Sequence, residues 1–377
     1  MSLSRTARFR RLLGYLLAAI PVVVYLGHLA TAARLTVDFP TGDDWHALED
    51  GTAGSFDLEY LFAAGNSTIF PVGNALDSLA MHLFGADTGI YQPLTLALVL
   101  GGMLLFQWIL LRRALLDVLL AGIAMSGTVL ALRPGTYWGL EDLAYHQAAP
   151  IVLLLSTLVL ISGRRPGVRL VAIGTFAIGL IAGFFYISGA VSGVAAGALL
   201  AVLGTRLRGS LGRRVRWGSL GLLLAALIAA GVQVWVAILG ELGNEGVGLV
   251  PPLEPDFWRF LLGQVAQSWA LPSGRPDLAM VVALAMLAAT DVVAVVLFVR
   301  IMRRRLPLRH QLLATVFVTM TGAIGVYLLV IAAARTDLMA SIAPGIEDSF
   351  VHGFERYYWW WSTFGWPWPV SYTHLTL

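Results

Sequence analysis

Two adjacent carboxylates followed by an indole, Asp43-Asp44-Trp45, are the residues of this chain best suited to chemistry. They lie in the stretch Val37–Pro71, which also carries Asp38, Glu49, Asp50, Asp57 and Glu59 among aromatics and glycines. Neighbouring carboxylates at a low-dielectric interface repel each other, so the pair either binds a hard divalent cation through oxygen or lets one member keep a proton. Either state suits a catalyst. A carboxylate base removes the proton of an acceptor hydroxyl, and a bound cation screens a phosphate leaving group. Trp45 adds an apolar face on which a sugar ring can stack. The same Asp pair also reads as the cap of a short helix opening near Trp45 after the Pro40-Thr41-Gly42 turn, and both readings stand at this point.

A second group lies in RPGTYWGLEDLAYHQ, residues 133–147. If this stretch is helical, Trp138, Asp142 and His146 share one face at four-residue spacing, and Asp142 can orient or charge His146. Arg133, just before them, is placed to meet a phosphate. The plain alternative is an interfacial Asp–His contact. A third group, Glu355-Arg356-Tyr357-Tyr358-Trp359, sets a guanidinium among rings, as does Arg335 further upstream. Arg356 beside Tyr357 suits a lipid-linked phosphate, because a guanidinium grips two oxygens while the rings sit at head-group depth. An aromatic belt with a snorkelling arginine has the same composition. The long connection 240–275 reads either as a solvated lid or as the wall of an acceptor groove.

The elements that must position these groups are apolar. Hydrophobic residues make up 58% of the 377, charged residues 12%, and the mean hydropathy is +0.78. Such values place the chain among polytopic membrane proteins. With no cysteine and no lysine, thiol chemistry and a Walker lysine are excluded, and neither HExxH nor a strand-borne GxSxG occurs. The pI near 9.3 does not imply a nucleic-acid partner, because the arginines fall in short clusters between apolar runs, where they set topology.

Crossing a bilayer takes about 20 residues. Nine runs qualify: 12–33, 90–111, 114–132, 147–162, 170–185, 188–204, 217–239, 278–299 and 311–334, with a tenth expected from about Tyr357. The first is read as an uncleaved anchor, its apolar core being too long for a signal peptide. Arginine clusters at 5–11, 112–113, 164–169, 206–216 and 300–309 recur after every second run. The positive-inside rule puts them and the N-terminus in the cytoplasm, and the acidic stretch outside, where nucleotide sugars and ATP are absent. Residues 57–89 are expected to form one or two amphipathic helices in the outer interface, the plain alternative being a small packed lid over the bundle. Gly189, Gly193 and Gly197 predict close helix packing. Asp291, inside the eighth run, is either functional or hydrogen-bonded to a neighbouring helix, and Asp117 is expected to pair with Arg112 and Arg113. Val370–Leu377, VSYTHLTL, resembles a translated sequencing adaptor, so residues 1–369 are read as one membrane domain cut short and 370–377 as a non-native tail.

The Arg-flanked first run, DDW at 43–45, YWGLEDLAYHQ entering the fourth run, FFYISGAVSGV at the fifth–sixth hinge and ERYYW near the end together resemble the GT-C superfamily of membrane glycosyltransferases. The likeness is to bacterial proteins of the protein O-mannosyltransferase-like group, and it spans Leu12–Trp361 in spacing more than identity. It implies an all-α transmembrane bundle in the bacterial cytoplasmic membrane. It also implies an inverting transfer of sugar from a polyprenyl-phosphate donor to a glycan or protein acceptor at the outer face. The family's first-loop acid, base or metal partner, falls on Asp43 or Asp44, and its late Arg-Tyr pair near the donor phosphate falls on Arg356 and Tyr357. Where relatives carry an acidic-His-Arg cluster this chain reads GNSTIFP. The rival readings are a transporter or flippase for lipid-linked sugars, using Asp291, and a non-catalytic partner that keeps the fold.

Overall fold

In a computed structural model the described residues are 5–35, 55–65, 68–85, 88–115, 117–132, 148–239, 249–337, 348–355, 357–364 and 367–368. They form a helical bundle. The helices are α1 (Arg5–Leu35), α2 (Leu58–Leu61), α3 (Pro71–Phe84), α4 (Thr88–Ala114), α5 (Val118–Ser126), α6 (Ala149–Ser162), α7 (Val168–Phe185) and α8 (Ile187–Gly204). They continue as α9 (Gly209–Leu239), α10 (Pro255–Ser268), α11 (Pro276–Met302), α12 (Leu308–Arg335) and α13 (Ser349–Glu355). Two 3₁₀ segments, Gly127–Leu132 and Tyr357–Phe364, complete them. The one ladder among the described residues is a two-residue antiparallel pair, β1 (Ala64–Gly65) with β2 (Thr68–Ile69), too short to change the class.

Seven of these helices are long and apolar enough to cross a membrane: α1, α4, α7, α8, α9, α11 and α12. The stretches Val118–Leu132 and Ala149–Ser162 are shorter apolar helices, and with the seven they account for all nine runs read from the sequence. Proline opens α3, α6, α10 and α11, where its missing N–H has no partner to lose.

Contacts gather the arginine-bearing ends on one side of the bundle. Arg10 pairs with Asp117 at 2.7 Å, joining the start of α1 to the start of α5. Asp117 also caps α5 through the N–H of Leu119, so its carboxylate is committed to Arg10 and the cap rather than to Arg112 and Arg113. Arg113 donates to the Ser162 hydroxyl at 2.8 Å, the buried Arg214 donates to the Ile161 carbonyl at 3.0 Å, and the Arg208 N–H meets Gln311 at 3.3 Å. The ends of α4, α6, α9 and α12 are thereby linked through arginine residues.

Small residues set the packing of α7, α8 and α9. A Cβ at Gly189 would overlap the Ala182 carbonyl, one at Gly193 would lie 2.9 Å from the Ala226 methyl, and one at Gly197 would lie 3.0 Å from the Leu223 backbone. All three expected glycines thus sit at close helix approaches, which is how helices associate when lipid removes the hydrophobic drive between them.

Two segments differ from their sequence reading. Residues 255–268, expected in a lid or groove wall, form a helix that buries Phe257, Phe260, Leu261 and Gln264 against α13. The backbones cross at Gly263 and Gly353, where a Cβ would overlap the carbonyls of Phe350 and Phe260 respectively. The segment from Tyr357 is an eight-residue 3₁₀ helix rather than the start of a long span. Its Trp360 and Trp361 are buried, Trp361 stacks on Tyr327 with centroids 4.4 Å apart, and Trp360 donates to the Ala131 carbonyl at 2.9 Å. These two rings belong to the core.

Candidate functional site at the end opposite the arginine clusters

The sequence-derived site residues lie outside the described residues: Asp43, Asp44 and Trp45 in 36–54, Arg133, Trp138, Asp142 and His146 in 133–147, and Arg356. Tyr357 opens the second 3₁₀ segment, and its side chain also falls outside the description. A divalent cation at Asp43 and Asp44 is therefore an expectation of the sequence alone. Among the described residues no group of three His, Asp or Glu side chains could hold a metal.

The described residues that flank these segments do converge. Ala131, just ahead of Arg133, accepts the indole N–H of Trp360, just after Arg356. One hydrogen bond thus ties together the anchors of two segments more than two hundred residues apart, each of which carries an arginine read as a phosphate ligand.

The segment 55–85 is anchored to the same end of the bundle. It is not one or two interfacial helices throughout: a single turn, α2, precedes the β1–β2 hairpin, and only α3 is a full amphipathic helix. The Asn74 amide donates to the Tyr60 carbonyl at 3.0 Å, and the Ser78 hydroxyl donates to the Ser55 carbonyl, so α3 holds the re-entry of the first loop. The hairpin is clamped by Gln233 of α9. Its side-chain oxygen accepts from the Thr68 hydroxyl at 2.9 Å and the Ile69 N–H at 3.0 Å, while its amide donates to the Ile69 carbonyl at 2.7 Å and reaches the Gly183 carbonyl at 3.4 Å. Thr68, Ile69 and Gln233 are all buried, so this one amide replaces the neighbouring strand that β2 lacks.

Gly183 introduces the third component, the hinge between α7 and α8. Tyr186 stands alone between the helices in extended conformation, φ −168°, which turns the chain without a glycine. Phe184 packs edge-on against Phe62 of the first segment, centroids 6.4 Å apart, and the half-buried Arg335 at the end of α12 donates to the Tyr186 hydroxyl at 3.4 Å. Residues 183–186 are thus the point where the segment 55–85, α9 and α12 meet. Sequence reasoning singled out the hinge and Arg335 separately, and missed Gln233, whose isolated polarity inside the apolar α9 was the available signal. Arg259 of α10 is committed elsewhere, to Asp348 at 2.6 Å.

Asp291 does not make the contact to a neighbouring helix that one of its two sequence expectations gave it. It lies near the middle of α11 on the outward face, exposed, and makes no hydrogen bond to a neighbouring helix among the described residues. A charged carboxylate at such depth costs about 2.5–3.5 kcal/mol.

Gln233→Leu removes the clamp and leaves the Thr68 hydroxyl and both backbone groups of Ile69 buried and unpaired. At about 1–3 kcal/mol for each stranded group, the local loss is expected to exceed about 3 kcal/mol. In lipid nanodiscs, amide exchange over 55–85 should speed at least tenfold while α7 and α8 stay protected. Unchanged exchange there would show that the clamp does not hold the segment.

Comparison with known proteins finds no matching family model, no matching curated protein and no matching solved structure.

Proposed function

We propose that this chain is a GT-C-type glycosyltransferase acting at the outer face of the bacterial cytoplasmic membrane. It transfers a sugar from a polyprenyl-phosphate donor to a glycan or protein hydroxyl. In that reaction the acceptor oxygen attacks the anomeric carbon from the side opposite the phosphate, its proton passes to Asp43 or Asp44, and the sugar–phosphate bond breaks. Polyprenyl phosphate leaves with its charge held by Arg356 and Arg133. The observation that carries the reading is the division of the bundle into two ends. Contacts collect the arginine-bearing connections at one end. At the other meet the Tyr186 hinge, Arg335, the clamped first segment and the joined anchors of 133–147 and Arg356.

The transport reading gains no support from Asp291, which is exposed on α11. One observation favours the non-catalytic reading: GNSTIFP, where the family has its acidic-His-Arg cluster, is occupied by a structural clamp on Gln233.

Sidedness tests the proposal, and the absence of native cysteine makes the experiment clean. Single cysteines at Gly42, Thr136 and Ser341 are expected to react with an impermeant maleimide from outside intact cells, and cysteines at Arg165 and Ser210 only after lysis. Reaction of the first set only after lysis would place the chemistry where nucleotide sugars are available and overturn the lipid-donor argument.

A further inference from the structure

We propose that the outward face of α11 is a docking seam for a second copy of this chain, with Asp291 paired across the two-fold axis. This is independent of the glycosyltransferase reading.

Helix α11 has two unlike seams. Ala279, Ala283, Thr290, Leu297 and Ile301 are buried against the rest of the bundle. On the outer side, Val281, Leu284, Ala288, Asp291 and Val295 follow one another at alternating three- and four-residue steps and are all exposed, with Val281, Leu284 and Val295 each more than half so. That spacing is the seam of a two-helix coiled coil, and Asp291 occupies one of its core positions. About 16 Å of helix separates Asp291 from Met302, which sets it deep in the hydrocarbon. No described residue of its own chain pairs with it there.

The carboxyl chooses the occupant. A protonated carboxyl donates one hydrogen bond and accepts others, so it complements a second carboxyl, ionised or not. Two copies in one membrane are related by an axis along the bilayer normal, and an isologous contact then sets each residue opposite itself at equal depth. Asp291 therefore faces Asp291, and the small Ala288 one turn away lets the backbones approach closely. A single polar residue in an otherwise apolar seam also fixes the register of the pair.

The test uses single cysteines in the cysteine-free chain and oxidative cross-linking in native membranes. Ala288→Cys and Val295→Cys lie on the seam, whereas Ala289→Cys and Val296→Cys are exposed beside it. The seam positions are expected to give a dimer-sized product at least tenfold faster than the flanking ones. In the Ala288→Cys background, Asp291→Leu should lower cross-linking roughly 3- to 20-fold, while Asp291→Asn, which still donates and accepts, should retain it. The proposal is overturned if all four positions cross-link alike, if none does, if the seam positions join only to a product of another mass, or if Asp291→Leu has no effect. The four cysteine variants keep Asp291 in place, so this arm stands even where Asp291→Leu fails to fold.

Discussion

Asp43→Asn and Asp44→Asn are expected to separate base from neighbour: one substitution should lower sugar transfer roughly 10²- to 10⁴-fold, the range of a positioned general base, and the other considerably less. The asymmetry follows from the pair itself. Two adjacent carboxylates cannot both be equally placed against one acceptor hydroxyl, so one removes the proton while the other tunes it or holds a cation. The double variant should retain no measurable transfer. If a cation is used, the weaker single variant should regain part of its rate at high divalent concentration, whereas the base variant should not. Full transfer by both single variants at wild-type expression would remove the first loop from the chemistry and leave the helix-cap reading of the pair.

The second large effect is expected at Arg335. Its half-buried guanidinium already meets the Tyr186 hydroxyl at the hinge, and a guanidinium is the side chain that grips phosphate oxygens in pairs. Hydrogen bonds to a charged group are worth about 1.5–3 kcal/mol, so Arg335→Ala should reduce kcat/KM for the lipid donor roughly 10- to 150-fold. Arg335→Lys should restore the charge but not the two-oxygen grip, and recover only part of the loss. Tyr186→Phe keeps the ring in its buried place and removes the bond from the charged Arg335, which at 3.4 Å is longer than the usual range, so its effect should stay within roughly threefold. Loss of transfer in Tyr186→Phe equal to that in Arg335→Ala would make the contact a structural latch instead of part of the donor site.

Much of the frame is legible in the sequence because its determinants are local. Run length places the nine apolar segments, arginine clusters mark one end of each pair, and the spacing of Gly189, Gly193 and Gly197 announces the tight approach of α8 to its neighbours. What escapes depends on partners far away in the chain. Asp117 sits beside Arg112 and Arg113 in sequence, yet it pairs with Arg10 because the close crossing of α1 and α5 at Gly14 and Gly122 brings that guanidinium to it. Helix α10 reads as a polar connection because Trp258, Arg259, Gln264 and Gln267 interrupt its apolar face, while its burial depends on the crossing with α13. The hairpin at 64–69 shows no strand pattern, since the partner that satisfies it is an amide 164 residues away. The site is legible only as chemistry: Asp43, Asp44, Arg133 and Arg356 stand out by residue type, and the described structure adds the anchors that flank them.

The central claim is that the sugar arrives on a polyprenyl phosphate and not on a nucleotide. Purified protein in lipid nanodiscs, given a radiolabelled polyprenyl-phosphate sugar together with membrane acceptors, is predicted to release polyprenyl phosphate and label the acceptor, with no dependence on added nucleotide sugar. Transfer from a nucleotide sugar in place of the lipid, or no turnover of any lipid-linked sugar by protein that is folded and correctly oriented, would contradict it.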